Sequence, residues 1–240
     1  WLQEQVKTLG IDLSSRQLSQ FKKYQQLLTT ESAKFNLMSI DEKRLLPDHF
    51  LDSLSVALCK CLFKNCRLTD IGSGAGFPGI PLKIAFPEVK LIMVESRRKR
   101  AEFLELLISK LELKKTSVIR IRAEEAGRAP DFRRKNNIVV ARAVAELSVL
   151  LEYALPLLSV GGWFVALKGP KGVAEAKDAE GIANILGGET KDIISVKLIP
   201  NKVRNLILIQ KVRETPERWP RRTGVPGKRP LKAGKLLNNE

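Results

Sequence analysis

The sequence predicts an α/β protein built on a doubly wound, seven-stranded sheet whose last strand runs antiparallel, with a helical unit in front of it. Three observations predict this. Helix-period apolar residues fill the first part of the chain, short β-rich runs then alternate with helical ones, and the alternation ends in two strand-like runs with no helix between them. At 240 residues and 44% hydrophobic content the chain holds enough apolar material for one substantial core plus an appendage.

Residues 1–65 form the helical unit. Leu18, Phe21, Tyr24, Leu27 and Leu28 recur at three- and four-residue steps, and Phe50, Leu51, Leu54, Val56, Ala57 and Leu58 do so more loosely. Lys34 to Ile40 reads as an extended crossing between those helices. Over 66–212 the period changes. Strands are expected at 67–71, 90–95, 117–122, 137–142 and 162–168, with helices near 79–86, 97–112, 146–158 and 171–186 between them. Such units return parallel strands to one sheet covered on both faces. Ile193–Ile199 and Val203–Lys211, separated by Pro200-Asn201-Lys202, then make an antiparallel hairpin at one edge. Five alternating strands and a hairpin make seven, whereas a dinucleotide-binding sheet stops at a parallel sixth strand.

Residues 213–240 are a basic, proline-rich tail. From Glu214 onward it carries Pro216, Pro220, Pro226 and Pro230, with seven Arg or Lys against three Glu. Such a segment cannot bury enough apolar area to fold alone. It is either solvated or an arm that settles on phosphates, with Trp219 free to pack or stack.

The net charge of +16, from 42 basic and 26 acidic residues, points to a polyanionic partner: a nucleic acid first, an anionic membrane surface second. A membrane-spanning segment is not expected, because the most apolar stretch, Leu147 to Leu167, is broken by Glu152, Pro156 and Gly161-Gly162. The start at Trp1 leaves a removed targeting peptide open. Cys59, Cys61 and Cys66 lack paired metal-ligand spacing and read as free or buried thiols in a reducing compartment, with a metal or iron–sulfur site as the alternative.

The most informative stretch is Leu68-Thr69-Asp70-Ile71-Gly72-Ser73-Gly74-Ala75-Gly76-Phe77-Pro78-Gly79, a strand feeding a glycine-rich turn and a helix. A dinucleotide fingerprint needs glycine where Phe77 stands, and Asp70 would repel a phosphate. No Lys-Ser or Lys-Thr follows in P-loop order. The site suits a cationic ligand without phosphates. S-adenosylmethionine is one, and Gly72, Gly74 and Gly76 would let backbone N–H groups approach its methionine half. Glu95, closing the second strand, is placed to accept hydrogen bonds from a ribose, and Glu124, after the third, to read the adenine edge. Arg142, at the end of the fourth strand, would face the transfer region. There it could hold the cofactor carboxylate, grip a phosphate, bond guanine O6 or form a structural ion pair.

The acceptor is narrowed by what the chain lacks. The three cysteines lie outside the sheet-end loops, against attack at cytosine C5, and Ala141-Arg142-Ala143-Val144-Ala145-Glu146 replaces the proline-aromatic loop that goes with exocyclic amines. A ring nitrogen such as guanine N7 needs alignment and no general base. His49, the only histidine, is accordingly expected to pack or cap beside Asp52. Arg97-Arg98-Lys99-Arg100 and Arg133-Arg134-Lys135 are either solvated faces or tracks for a nucleic-acid backbone.

His49-Phe50-Leu51-Asp52-Ser53-Leu54, Asp70 to Pro81, Glu95-Ser96 with Lys99-Arg100, Arg142-Ala143-Val144-Ala145, Ala166-Leu167-Lys168-Gly169 and Arg218-Trp219-Pro220-Arg221-Arg222 together resemble the glucose-inhibited division protein B family over nearly the whole chain. The resemblance implies a Rossmann-like class I methyltransferase forming 7-methylguanosine in small-subunit (16S) ribosomal RNA. It also implies cofactor contact by Gly72, Phe77, Ala123, Glu124 and Arg142, with Glu95 at the ribose where many members carry Asp. The combined expectation places Asp70, Gly72, Gly74, Gly76, Phe77, Glu95, Ala123, Glu124 and Arg142 around S-adenosylmethionine, with Arg142 also orienting the transfer. Lys168, Arg218, Arg221, Arg222 and Lys228 are expected on RNA. No metal is expected. The partner is ribosomal RNA or the small subunit, the state a monomer, and the compartment a bacterial cytoplasm or a plastid stroma. The competing readings are an assembly factor that binds RNA on this fold without turnover, and a methyltransferase with another RNA or small-molecule acceptor.

Overall fold

A computed structural model describes residues 2–32, 34–35, 37, 42–61, 65–199 and 202–232. Most of the crossing expected at 34–40, Pro200 and Asn201 of the hairpin turn, and the last eight positions of the tail lie outside the described residues.

Helix α1 (Leu2–Lys7) is followed by α2 (Ser15–Glu31), which opens on a capping box: Gln17 N–H donates to the Ser14 hydroxyl while the Gln17 side chain accepts from the Ser14 N–H. Phe21, Tyr24 and Leu28 fall on one face of α2 and are buried. A helical stretch of changing pitch comes next: α3 (Glu42–Leu45), a π-helical turn Leu46–Leu51, α4 (Asp52–Leu54) and a 3-10 turn Ser55–Cys59. Wide turns of this kind occur at functional sites because they re-aim side chains. Here the stretch brings Asp48, His49 and Asp52 to one cleft.

The sheet follows from β1 (Arg67–Ile71), α5 (Gly79–Ala85), β2 (Lys90–Val94), α6 (Arg98–Lys110), β3 (Thr116–Ile119), α7 (Ala123–Arg128), β4 (Asn136–Arg142), α8 (Leu147–Ala154), β5 (Leu158–Lys168), α9 (Gly172–Ile185), β6 (Gly188–Ile199) and β7 (Lys202–Lys211), with α10 (Val225–Lys228) at the end. The order is β3-β2-β1-β4-β5-β7-β6, seven strands. β7 runs antiparallel between β5 and β6, and the remaining pairs are parallel. The chain winds outward from β1 in one direction and from β4 in the other, so a crevice opens beyond their carboxyl ends, where such sheets bind ligands.

Several expected boundaries shift for local reasons. β3 ends at Ile119 and a helix absent from the expectation, α7, starts at Ala123; with six residues it is too short to show an apolar period. The helix expected at 146–158 stops at Ala154 and gives way to a 3-10 turn carrying Pro156. β5 then begins at Leu158, and the extra residues up to Gly162, with Gly161 at φ 87°, shift its register against β4.

The helical unit is not a separate body. Its Phe21, Tyr24, Leu28, Phe50 and Leu54 share one core with Phe77, Ile80, Phe103 and Leu107 on one face of the sheet. The opposite face packs on α8 and α9 and takes in Trp219 and Leu231. Over its described part the tail is not a solvated strand of chain: Thr215, Trp219, Pro220 and Pro226 are buried against the body, Trp219 taking the packing option.

Candidate functional site

The glycine turn is built by close approach. Gly72, at φ 67°, has the Val144 side chain over it, and a Cβ there would lie 2.7 Å from Val144 Cγ2. Gly76, at φ 102°, would put a Cβ 2.6 Å from the Tyr24 hydroxyl. That hydroxyl donates to the Ala75 carbonyl at 2.6 Å, so α2 holds the turn from behind. The Tyr24 ring stacks on Phe50 and Phe77 with centroids 5.2 and 5.4 Å apart.

Two cavities open along the turn and share Gly72 in their linings, and Val144, over Gly72, lines the smaller. The larger, about 480 Å³, is lined by Asp48, His49, Asp52, the turn itself, Phe77, Arg100, Arg142, Lys168 and Arg204. The smaller, about 380 Å³, is lined by Glu95, Ala123, Glu124, Val144, Tyr153 and Gly227. Gly72, Gly74 and Phe77 therefore lie at the first cavity, and Glu95, Ala123 and Glu124 at the second. Gly76 supports the turn without lining either cavity.

Asp70 departs from expectation. Its carboxylate is fully buried beneath the turn and accepts the Gly79 N–H at 3.0 Å through Oδ2, at the start of α5, while Oδ1 meets no donor among the described residues. It lines neither cavity and supports the start of α5. Burial pushes its pKa up to about 7. Glu95 is held by the backbone: Gly74 N–H donates to Oε2 at 3.0 Å and Arg97 N–H to Oε1 at 2.8 Å. Each oxygen keeps acceptor capacity toward the cavity.

Arg142 lines the larger cavity and is ion-paired there. Nη1 donates to Asp52 Oδ2 at 2.9 Å and the Asp48 carbonyl at 3.2 Å, Nη2 meets His49 Nδ1 at 3.0 Å, and the guanidinium lies 4.8 Å from the Phe77 ring centroid. Since Arg only donates, His49 Nδ1 must accept, which puts the imidazole proton on Nε2. Burial and the neighbouring Arg142 charge push His49 down to about 4, so it is neutral at pH 7. His49 lines the larger cavity and packs there, its ring centroid 5.0 Å from that of Phe77. The other oxygen of Asp52 accepts from Arg204 Nε at 3.0 Å. Asp48, despite its burial, is held below the usual carboxylate range by Lys202 and Arg44.

Two residues expected on RNA are tied down inside the protein. Lys168 Nζ binds the Ala145 carbonyl at 2.8 Å and Glu175 at 2.6 Å. Arg221 is paired with Glu152, a fully buried carboxylate. Arg133 is likewise buried, binding the carbonyls of Gly127, Trp219 and Thr215, and Arg134 pairs with Glu214 and Glu217. Arg218, Arg222 and Lys228 are exposed, as are Arg97, Arg98 and Lys99. The sequence reading missed Tyr24, Asp48, Asp52, Arg204 and Tyr153 as site residues. Their partners across the cleft are distant in sequence, 90 residues for Asp52–Arg142 and 154 for Asp48–Lys202, so no local spacing marks the cluster.

An antiparallel seventh strand and a glycine cradle with separate pockets at the switch point define a class I S-adenosylmethionine-dependent methyltransferase. Solved structures of that fold align: an S-adenosylmethionine-dependent O-methyltransferase from Thermotoga maritima has a TM-score of 0.53 at 18% identity, covering 79% of this chain and 73% of its own. A methyltransferase from Aquifex aeolicus has a TM-score of 0.52 at 17% identity, covering 71% and 94%. The family model GidB, described as rRNA small subunit methyltransferase G, matches residues 17–215, and the chain belongs to that family. Among its relatives, the ribosomal RNA small subunit methyltransferase G of Pelotomaculum thermopropionicum is 46% identical over 232 residues, 96% of this chain and 97% of that protein. The Staphylococcus saprophyticus protein of the same name is 44% identical over 233 residues, covering 96% and 97%. The chain is thus an S-adenosylmethionine-dependent methyltransferase of small-subunit ribosomal RNA. The lining is compatible with that cofactor: Gly72 and Gly74 bring bare backbone to the larger cavity, their N–H groups taken by the Val94 carbonyl and by Glu95, and the Glu95 carboxylate lines the smaller.

Proposed function

We propose that the chain methylates N7 of one guanine in small-subunit ribosomal RNA, without a general base. One observation carries the proposal. In the larger cavity Asp48, Asp52 and Glu175 are each paired with a cation, and the Nδ1 of neutral His49 is committed to Arg142. No carboxylate among the described lining residues is left unpaired to remove a proton. Guanine N7 needs none removed, since its lone pair is available at neutral pH, and the protein's task is alignment.

When bound, S-adenosylmethionine supplies an activated methyl group. The chain's residues then divide the work. Gly72 and Gly74 present backbone to the methionine half, Glu95 accepts from the ribose, and Glu124 and Ala123 bound the adenine. Asp52 fixes both Arg142 and Arg204, and Arg204, whose Nε alone is used by Asp52, keeps its remaining donors for the nucleotide. Exposed Arg218, Arg222 and Lys228 follow the RNA backbone. The working state is a monomer. The bacterial relatives support work beside the ribosome in a bacterial cytoplasm rather than a plastid stroma.

The test supplies labelled S-adenosylmethionine and small subunits from a strain lacking this enzyme, then maps the label. Reductive cleavage of the RNA at the labelled guanine is the expected result. Label on an exocyclic amine or a ring carbon refutes the N7 assignment.

A further inference from the structure

We propose that residues 215–228 form a wall of the adenosine end of the cofactor site, and that Arg221 and Arg133 are positioning residues for it rather than RNA contacts. The inference rests on the cofactor placement proposed above and extends it to a segment whose basic composition points to nucleic acid.

The segment reaches the pocket through Glu124. Gly224 N–H donates to Glu124 Oε1 at 2.8 Å, and the Tyr153 hydroxyl lies 3.4 Å from the same oxygen. Gly224 sits at φ 81°, a conformation that favours glycine, and it starts α10. Three residues on, Gly227 lines the smaller cavity beside Tyr153. A carboxylate expected to read adenine is therefore oriented by the chain's late residues.

Three anchors hold the segment there. Arg221 Nε and Nη2 form a two-pronged pair with Glu152, at 2.9 Å to Oε1 and 2.7 Å to Oε2, and the Arg221 N–H adds a bond to Oε1 at 2.7 Å. Arg133 binds the Trp219 carbonyl at 2.8 Å and the Thr215 carbonyl at 2.9 Å. Arg128 Nε takes the Pro220 carbonyl at 2.9 Å, and Pro220 packs so closely on α7 that a Cβ at Gly127 would lie 3.0 Å from its Cγ. Turning Arg221 toward a phosphate would strand Glu152 as a buried carboxylate without a counter-charge. Glu152 and Tyr153 are neighbours on α8, so the anchor and the pocket wall share one rigid element.

The test measures S-adenosylmethionine binding by calorimetry, without RNA, and the KM for cofactor and for small subunits separately. Arg221→Met should weaken cofactor binding by about tenfold or more and raise the cofactor KM alike, with the small-subunit KM within about twofold. Gly227→Phe guards against misfolding: position 227 is exposed and its nearest outside atom is the Tyr153 hydroxyl at 3.8 Å, so the ring has room yet enters the cavity. It should melt like the parent and lose cofactor affinity. Unchanged cofactor affinity in both variants, or a rise confined to the small-subunit KM, overturns the proposal. Glu95→Ala separates the two layers. If it leaves binding intact, the cofactor placement itself fails; if it alone weakens binding, only the role of the 215–228 segment fails.

Discussion

Replacing Tyr24 by Phe removes one oxygen atom from behind the cofactor turn and leaves the packing in place. The ring is fully buried, and its stacking on Phe50 and Phe77 survives the change. What disappears is the 2.6 Å bond to the Ala75 carbonyl, leaving that carbonyl without its donor. A buried polar group so stranded costs about 1–3 kcal/mol, and for a chain of this length each kcal/mol moves the midpoint by about 2–4 °C, so Tyr24→Phe should melt about 2–12 °C lower. Burial holds the Tyr24 phenol well above its ordinary pKa, so it donates across the usable pH range and the loss should not vary with pH. Cofactor affinity should fall by about three- to tenfold, because the turn keeps its shape but loses its brace. Gly76→Ala supplies the cross-check: its Cβ collides with the same hydroxyl at 2.6 Å, so part of its penalty should vanish in the Tyr24→Phe background. Thermal melts with and without cofactor, and calorimetry on the four proteins of the cycle, read all of this. A Tyr24→Phe protein that melts and binds like the parent, with additive effects of the two changes, would refute the brace.

Three further outcomes are expected. Asp70→Asn should bind cofactor within about threefold of the parent, because the carboxylate lies under the turn and not in the cavity. With its pKa raised from 3.8 to about 7, the stability Asp70 contributes is complete below about pH 4 and lost as pH rises through 7, so the variant's melting advantage should be larger at pH 8 than at pH 5. His49, with its pKa lowered from 6.5 to about 4, contributes stability that is complete above its unfolded value and lost as pH falls toward 4; His49→Gln should flatten a melting profile over that window. Arg222→Gln should lower the slope of log affinity against log salt for ribosomal RNA by about one unit, measured by filter binding, with cofactor affinity unchanged.

The sheet was legible because its signals are local: β1, β2, β4 and β7 are β-rich runs bounded by turns, and the hairpin lacks an intervening helix. The order of Gly72, Glu95 and Glu124 was legible because the winding rule sends successive strand ends to one edge. Charge was the misleading signal. Lys168, Arg133 and Arg221 look like any other basic residue in sequence, yet each is engaged inside the protein by carbonyls or a carboxylate, as Arg221 is by Glu152 across 69 positions. Asp70 is a different case. Its place at a strand end was right, but the side chain turns under the loop to meet Gly79, a choice set by backbone direction and invisible to spacing.

The cleft is assembled from both ends of the chain, and synthesis runs in one direction. Tyr24 and the turn it braces emerge early, whereas Gly224 and Gly227 come among the last described residues. A growing chain can therefore shape the methionine side of its pocket well before the adenosine side has its final wall. On the placement proposed above, a chain that has emerged only through α9 holds the braced turn but not this wall.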